Sequence, residues 1–353
     1  MAGFDEQTWR GLLNRAVSAC ASDIHIAPDA PVFFRVNGVL TADAENADKG
    51  KAPTEREISM LLSSWMTPEQ REKFRTQGEI DFAREEADFR LRLRVHGFTV
   101  RGGTALSVRL VPEHIPSLDS LGVPPIFRRL LSLRSGLVLV SGKTGAGKTT
   151  TLAAFLSEIS RQRAAHIITL EDPIEYVYES GKSLISQREI GAHFTSFGGA
   201  IRSALREDPD ILLVGELRDA DAVQAALSAA ETGQLVLASL HTRSAAEAAH
   251  RIESFFPAAQ QQEIRAQLAA VLEAMISQEL LPAVGGGRVL ASEVLVATDA
   301  VRHLIRAGKP EQLASCIVSG ASSGMQTMGQ DVGRLRAAEK IDAETARRFE
   351  KIR

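Results

Sequence analysis

Apolar side chains at Trp9, Leu12, Leu13, Ala16 and Val17 recur at helical spacing, which predicts a helix from Trp9 to Ala21. Val32 to Leu40 reads as a strand pair broken at Asn37-Gly38, and the polar run Asp43 to Thr54 as a loop before a helix from Glu55 to Trp65. From Phe89 to Val95 apolar residues alternate with arginines, so Arg90, Arg92 and Arg94 share one face of a half-buried strand. A further strand, Ala105 to Val111, follows the glycine turn at Arg101-Gly102-Gly103. Pro112 and Pro116 punctuate a connector, which places a boundary between Val111 and Pro125. Beyond it the pattern changes. Short, wholly apolar runs (Leu137 to Ser141, Ile167 to Leu170, Ile211 to Val214, Leu235 to Ser239) alternate with helices, as in a parallel sheet buried on both faces. After Pro257 the chain reads as helical from Ala258 to Leu280, then as a strand from Arg288 to Val296, then as helices to the end.

The expectation is therefore an α/β chain of two domains, 1–112 and 125–353, joined by a linker at 113–124. A length of 353 residues agrees with two cores rather than one. No apolar run approaches the roughly 18 residues of a spanning helix, and MAGFDEQTWRGLL lacks the basic start and apolar core of a secretory signal, so a cytoplasmic protein is expected. Cys20 and Cys316 have no paired spacing and are expected to be buried thiols. A net charge of -3 and 5% aromatic residues argue against a nucleic-acid groove.

The chemistry concentrates in the second domain. The strand Leu137 to Ser141 runs into Gly142-Lys143-Thr144-Gly145-Ala146-Gly147-Lys148-Thr149, and a helical run begins at Thr150. This is the order of a phosphate-binding P-loop: glycines let backbone N–H groups face the phosphates, Lys148 reaches the β and γ oxygens, and Thr149 ligates magnesium. Such a loop needs acids at neighbouring strand ends. Glu216, closing Asp210-Ile-Leu-Leu-Val-Gly-Glu216, stands where the metal-shell carboxylate belongs, and Glu171, closing Ile167-Ile-Thr-Leu-Glu171, is the preferred general base. Asp172 and Glu175 have the blander alternative of capping a following helix. His241 follows the strand Leu235 to Ser239 at a position suited to sensing the γ-phosphate, with His250 a weaker candidate. Arg202, Arg206 and Arg218 flank the Glu216 strand and could neutralise transferred phosphate, although an ion pair is the default for any surface arginine.

Taken together, these blocks resemble the type II/IV secretion ATPase superfamily, and within it the PilT-like retraction motors of type IV pili. Ser22-Asp-Ile-His25 resembles the opening of the family's PAS-like N-terminal domain. Thr169 to Glu175 resembles its Asp box, Arg206 to Asp219 its Walker B block, and Ser239 to Thr242 through His250-Arg251-Ile252 its His box. Ala300 to Arg306 is similar to the AIRNLIR helix that retraction requires, and Gly324 to Thr327 to the GMQT segment.

The resemblance implies a RecA-like ATPase domain and a homo-hexameric ring that binds ATP and Mg2+. It implies Glu171 as catalytic glutamate, His241 and His250 as the His-box pair, and Arg101 and Arg109 as arginines reaching a neighbour's nucleotide. It further implies an inner-membrane platform protein as partner, membrane contact only through that partner, and a place at the cytoplasmic face of the inner membrane. Extension motors carry an extra N-terminal domain and a tetracysteine zinc site, whereas this chain has two cysteines. Lys143, His303 and His96-Gly97 depart from the family pattern and point to a divergent branch, such as an accessory retraction motor or an ATPase of a type IV secretion system. A nucleotide-operated switch and a nucleic-acid translocase are the rivals of other classes.

Overall fold

In the computed structural model, which describes residues 6–43, 52–112, 114–179 and 181–352, the first helical pattern is α1 (Glu6–Ser18), burying Trp9, Leu12, Leu13 and Ala16. It stops short of Ala21 because Cys20 adopts a left-handed φ of 53°, after which β1 (Ala21–Ile26) begins. That turn leaves Cys20 exposed, and Cys316, elsewhere in the chain, is half-buried, against the expectation of two buried thiols. Most of the expected Asp43 to Thr54 loop (44–51), Glu113 of the linker and the first five residues lie outside the described residues.

The chain divides into two units, Met1–His114 with Glu175–Val177, and Ile115–Ile174 with Tyr178–Arg353. In the first, β2 (Phe33–Val36) and β3 (Val39–Ala42) form a hairpin on Asn37-Gly38, whose φ angles of 50° and 84° are those its tight turn demands. Helices α2 (Glu55–Trp65) and α3 (Pro68–Gln77) each open on a capping box, Thr54 with Glu57 and Thr67 with Gln70. Strands β4 (Glu79–Glu86), β5 (Leu91–Val100) and β6 (Gly103–Pro112) complete an antiparallel sheet in the order β3-β2-β1-β6-β5-β4. The predicted strand at Phe89 starts later, since Arg90 turns left-handed at φ 51°; only Arg92 and Arg94 then alternate with buried Leu93 and Val95.

The core of this unit gathers Trp9, Leu12 and Leu13 with Ile58, Leu62, Leu93, Val95 and Val108, and the Trp9 indole donates to buried Glu86 at 3.1 Å. Leu62 presses on Gly97 so closely that a Cβ there would lie 2.7 Å from its Cδ2. Gly97→Ala is expected to destabilise this unit by about 1–3 kcal/mol through overpacking, read as a lowered urea midpoint. An unchanged midpoint would mean that Leu62 moves aside freely.

The second unit begins with two short helices, α4 (Leu118–Leu121) and α5 (Ile126–Leu130), then β7 (Gly136–Ser141) and α6 (Lys148–Gln162). Next come β8 (His166–Glu171), β9 (Leu184–Glu189), α7 (Phe197–Ala204), β10 (Ile211–Val214), α8 (Ala220–Glu231), β11 (Leu235–Leu240) and α9 (Ala245–Ser254). The sheet order is β13-β12-β7-β11-β10-β8-β9. All pairs are parallel except β12 with β13, so the sheet is mixed rather than purely parallel. Strands β7, β8, β10 and β11 are buried on both faces. Leu137 and Leu139 point into one core, with Ile201, Val223 and Ile252, while Val138 and Val140 point into the other, with Leu152, Phe155 and Ile159 of α6.

The expected helix from Ala258 to Leu280 is corrected: α10 (Ala258–Val271) ends at Val271, and β12 (Leu272–Pro282) is a strand parallel to β7. Residues such as Ala274, Met275 and Ile276 are buried on both faces there, and a doubly buried strand shows no period to distinguish it from a buried helix. β13 (Arg288–Val296), α11 (Asp299–Arg306), α12 (Leu313–Ser319), α13 (Met328–Ala337) and α14 (Ala343–Ile352) finish the chain.

Candidate active site

Lys148, Glu171, Asp172, Glu216, Arg218 and His241 of the second unit collect at the carboxyl ends of four adjacent strands, in spatial order β7, β11, β10 and β8, the edge at which open α/β sheets bind ligands. After β7, the loop 142–147 turns on Gly142, Gly145 and Gly147 with φ of 151°, 79° and 85°. At Gly142 a Cβ would lie 2.5 Å from the carbonyl oxygen of Gln278, so the loop's approach to β12 requires glycine. Gly147 is the N-cap of α6, with no side-chain cap hydrogen bond, and the positive dipole end of that helix stands at the loop, where it favours an anion. Thr144 and Gly145 are exposed, Ala146 is buried, and Thr149 and Thr150 sit in the first turn of α6, exposed and half-buried. The loop has the geometry of a phosphate cradle.

Lys148 is buried, and its Nζ donates to the carbonyls of Gly142 (2.8 Å) and Lys143 (3.2 Å). It also lies 3.3 Å from His241 Nδ1, while His241 Nε2 lies 3.3 Å from Glu216 Oε1. A lysine only donates, so Nδ1 accepts and the ring proton sits on Nε2, facing the carboxylate. Arg218 completes the chain of contacts, donating from Nε to Glu216 at 2.9 Å and from Nη1 to Asp172 at 2.7 Å. Burial works against the Arg218 charge, but bonding to Glu216 and the neighbouring charge of Asp172 outweigh it and raise its pKa above the ordinary value. Asp172 therefore does not cap a helix, and residues 174–179 form none.

Glu171, at the tip of β8, is buried, and its Oε1 accepts from Thr169 Oγ1 (2.6 Å) and Gln187 Nε2 (3.2 Å). Gly215 lets β10 close on β8: its N–H donates to Leu170 O at 2.8 Å, and a Cβ would meet that oxygen at 3.2 Å.

Other sequence candidates lie outside this cluster. Arg202 is paired with Asp221 at 2.7 Å and has a pKa raised by that hydrogen bond, and Arg206 donates to Arg202 O at 3.1 Å; both contacts are exposed. His250 is exposed on α9. In the first unit Arg101 is exposed in the β5–β6 turn, and Arg109 on β6 donates to Asp23 at 2.9 Å. Sequence reasoning missed Thr169 and Gln187, which hold Glu171, Gln278 and Glu279, which touch the phosphate loop, and Ser277, which meets Ser141 just before it. Those last three stand on the strand misread as helix; a Gln between Ser and Glu in an apolar run was the available signal.

The uncapped helix end and glycine cradle fit a nucleotide's phosphates. Among the described residues no group of three or more His, Cys, Asp or Glu could hold a metal ion.

Fold and site define a P-loop ATPase. The chain belongs to the type II/IV secretion system protein family, whose model matches residues 4–289. The type IV pilus retraction ATPase PilT of Pseudomonas aeruginosa is 41% identical over 333 residues, 94% of this chain and 95% of that protein. A crystal structure of the pilus retraction motor PilT with bound ADP matches with a TM-score of 0.82 and 40% identity, over 95% of this chain and 94% of that one. The ATPase DotB of Legionella pneumophila matches with a TM-score of 0.85 and 28% identity, over 100% of this chain and 98% of that one.

Proposed function

We propose that this chain is the ATP-driven motor of type IV pilus retraction, working as a homo-hexameric ring on an inner-membrane platform protein at the cytoplasmic face. The observation that carries this reading is the 41% identity to PilT over 94% of the chain. The TM-scores of 0.82 and 0.85 do not separate the PilT and DotB likenesses, but the identities of 40% and 28% favour the retraction motor.

The site suggests how each group acts. Backbone N–H groups of Gly142 to Thr149 and the Lys148 ammonium bind the β and γ oxygens. Thr149 and Glu216 hold magnesium, which shields the phosphate charge when bound. Glu171 takes a proton from the in-line water. His241, seated between Lys148 and Glu216, responds to the γ-phosphate, and Arg218 steers Glu216. Arg202, Arg206, Arg101, Arg109 and His250 stand apart from the cluster and are assigned to charge neutralisation across ring interfaces. Alternate opening and closing of those interfaces turns the platform and withdraws pilin subunits.

The test is ATP turnover by the size-separated hexamer with and without magnesium, followed by restoration of twitching in a bacterium lacking its own retraction motor. Magnesium-dependent turnover and restored twitching are expected. A ring without turnover in any oligomeric state would sink the motor reading, and salt-sensitive stimulation by DNA would favour a translocase.

A further inference from the structure

Three consecutive residues of β12 line the phosphate loop and the end of β7 that leads into it. Ser277 Oγ lies 2.7 Å from Ser141 Oγ, Gln278 Nε2 donates to the carbonyl oxygen of Ala146 at 2.8 Å, and Lys143 Nζ donates to Glu279 at 3.3 Å. The lysine–glutamate pair is largely solvent-exposed and holds the loop weakly. Gln278 differs: it is 3% exposed, its backbone carbonyl oxygen packs on Gly142, and its side-chain Nε2 would be 3.4 Å from a Cβ on Gly147. One residue thus meets both ends of the cradle, its backbone at Gly142 and its side chain at Ala146 and Gly147. A carbonyl oxygen can face only a donor, so the orientation of this amide is determined.

Peptide planarity gives the bond its consequence. The carbonyl of Ala146 and the N–H of Gly147 belong to one trans peptide and point in opposite directions. Anchoring the oxygen to β12 therefore turns the Gly147 N–H away from β12, toward the concave side of the loop. A leucine or methionine would fill the same buried space without burying an amide, whose desolvation is unfavourable.

We infer that Gln278 is a positioning residue for the nucleotide's phosphates, acting by aiming the Gly147 N–H; this rests on the ATPase reading of the loop. It makes no contact with the reacting atoms, so its effect falls on nucleotide affinity more than on the chemical step.

The experiment compares wild-type hexamer with Gln278→Met and Gln278→Glu, using ADP binding by calorimetry, steady-state turnover, and melting without nucleotide as a control of folding. For Gln278→Met, the ADP Kd and the KM for ATP are expected to rise about tenfold, with a smaller change in kcat. In Gln278→Glu the carboxylate faces a carbonyl oxygen at neutral pH, and affinity falls further. On acidification its protonated form can donate to Ala146, so its deficit relative to wild type at the same pH should narrow. Lost packing alone would give no such recovery. ADP binding by Gln278→Met within twofold of wild type overturns the proposal; if that variant does not fold, a pH-independent deficit in Gln278→Glu does so. Lys148→Ala in the same assay separates the two levels: undiminished ADP binding there removes the nucleotide reading of the loop itself.

Discussion

Glu171→Gln is expected to lower kcat by about 10²- to 10⁴-fold, the usual contribution of a positioned general base, while leaving nucleotide affinity within a few-fold of wild type. The reasoning is local. Glu171 is buried at the tip of β8, and its Oε1 accepts from Thr169 and Gln187. Glutamine keeps the shape and can keep its carbonyl oxygen toward those donors, so the strand end holds its place. What it loses is the ability to take a proton from water. Single-turnover hydrolysis and calorimetric binding of a non-hydrolysable ATP analogue measure the two quantities separately. A kcat within tenfold of wild type would transfer the base role to another acid, with Glu216 the next by position.

Lys148→Ala should fail earlier in the cycle. Removing the buried side-chain ammonium of the cradle is expected to lower kcat/KM by about 10²- to 10³-fold, in the range measured for a single preorganised donor to a developing negative charge. Here the buried Nζ already touches two loop carbonyls and His241, at 2.8, 3.2 and 3.3 Å, so the group is held where phosphate oxygens arrive. Arginine is not expected to restore activity, because a planar guanidinium cannot replace a compact ammonium in that space. The two variants are distinguished by order of failure: Glu171→Gln binds without turning over, whereas Lys148→Ala binds poorly. Near-wild-type affinity in Lys148→Ala would exclude the lysine from the phosphate site.

Much of the architecture was legible because it is written in local patterns. The first helix, the Asn37-Gly38 hairpin and the doubly buried strands β7, β8, β10 and β11 each follow from short-range periodicity or turn chemistry. The misreadings have equally specific causes. A left-handed Arg90 delays β5, a left-handed Cys20 ends α1, and β12 was taken for a continuation of α10 because no solvent-facing side interrupts its apolar run.

A phosphate loop after one buried strand, with acids and a histidine ending the others, is readable from local sequence because each signal lies within a few residues of chain. Which of these groups meet depends on the three-dimensional fold. The parallel register of β7, β11, β10 and β8 brings Lys148, His241, Glu216 and Arg218 into one line of contacts, although they come from three separate stretches of chain. The parallel pairing of β12 with β7 sets Gln278, 132 residues from Ala146, against the phosphate loop. Strand pairing joins distant segments through backbone hydrogen bonds that every residue but proline can make, so local side-chain patterns carry no record of the partner.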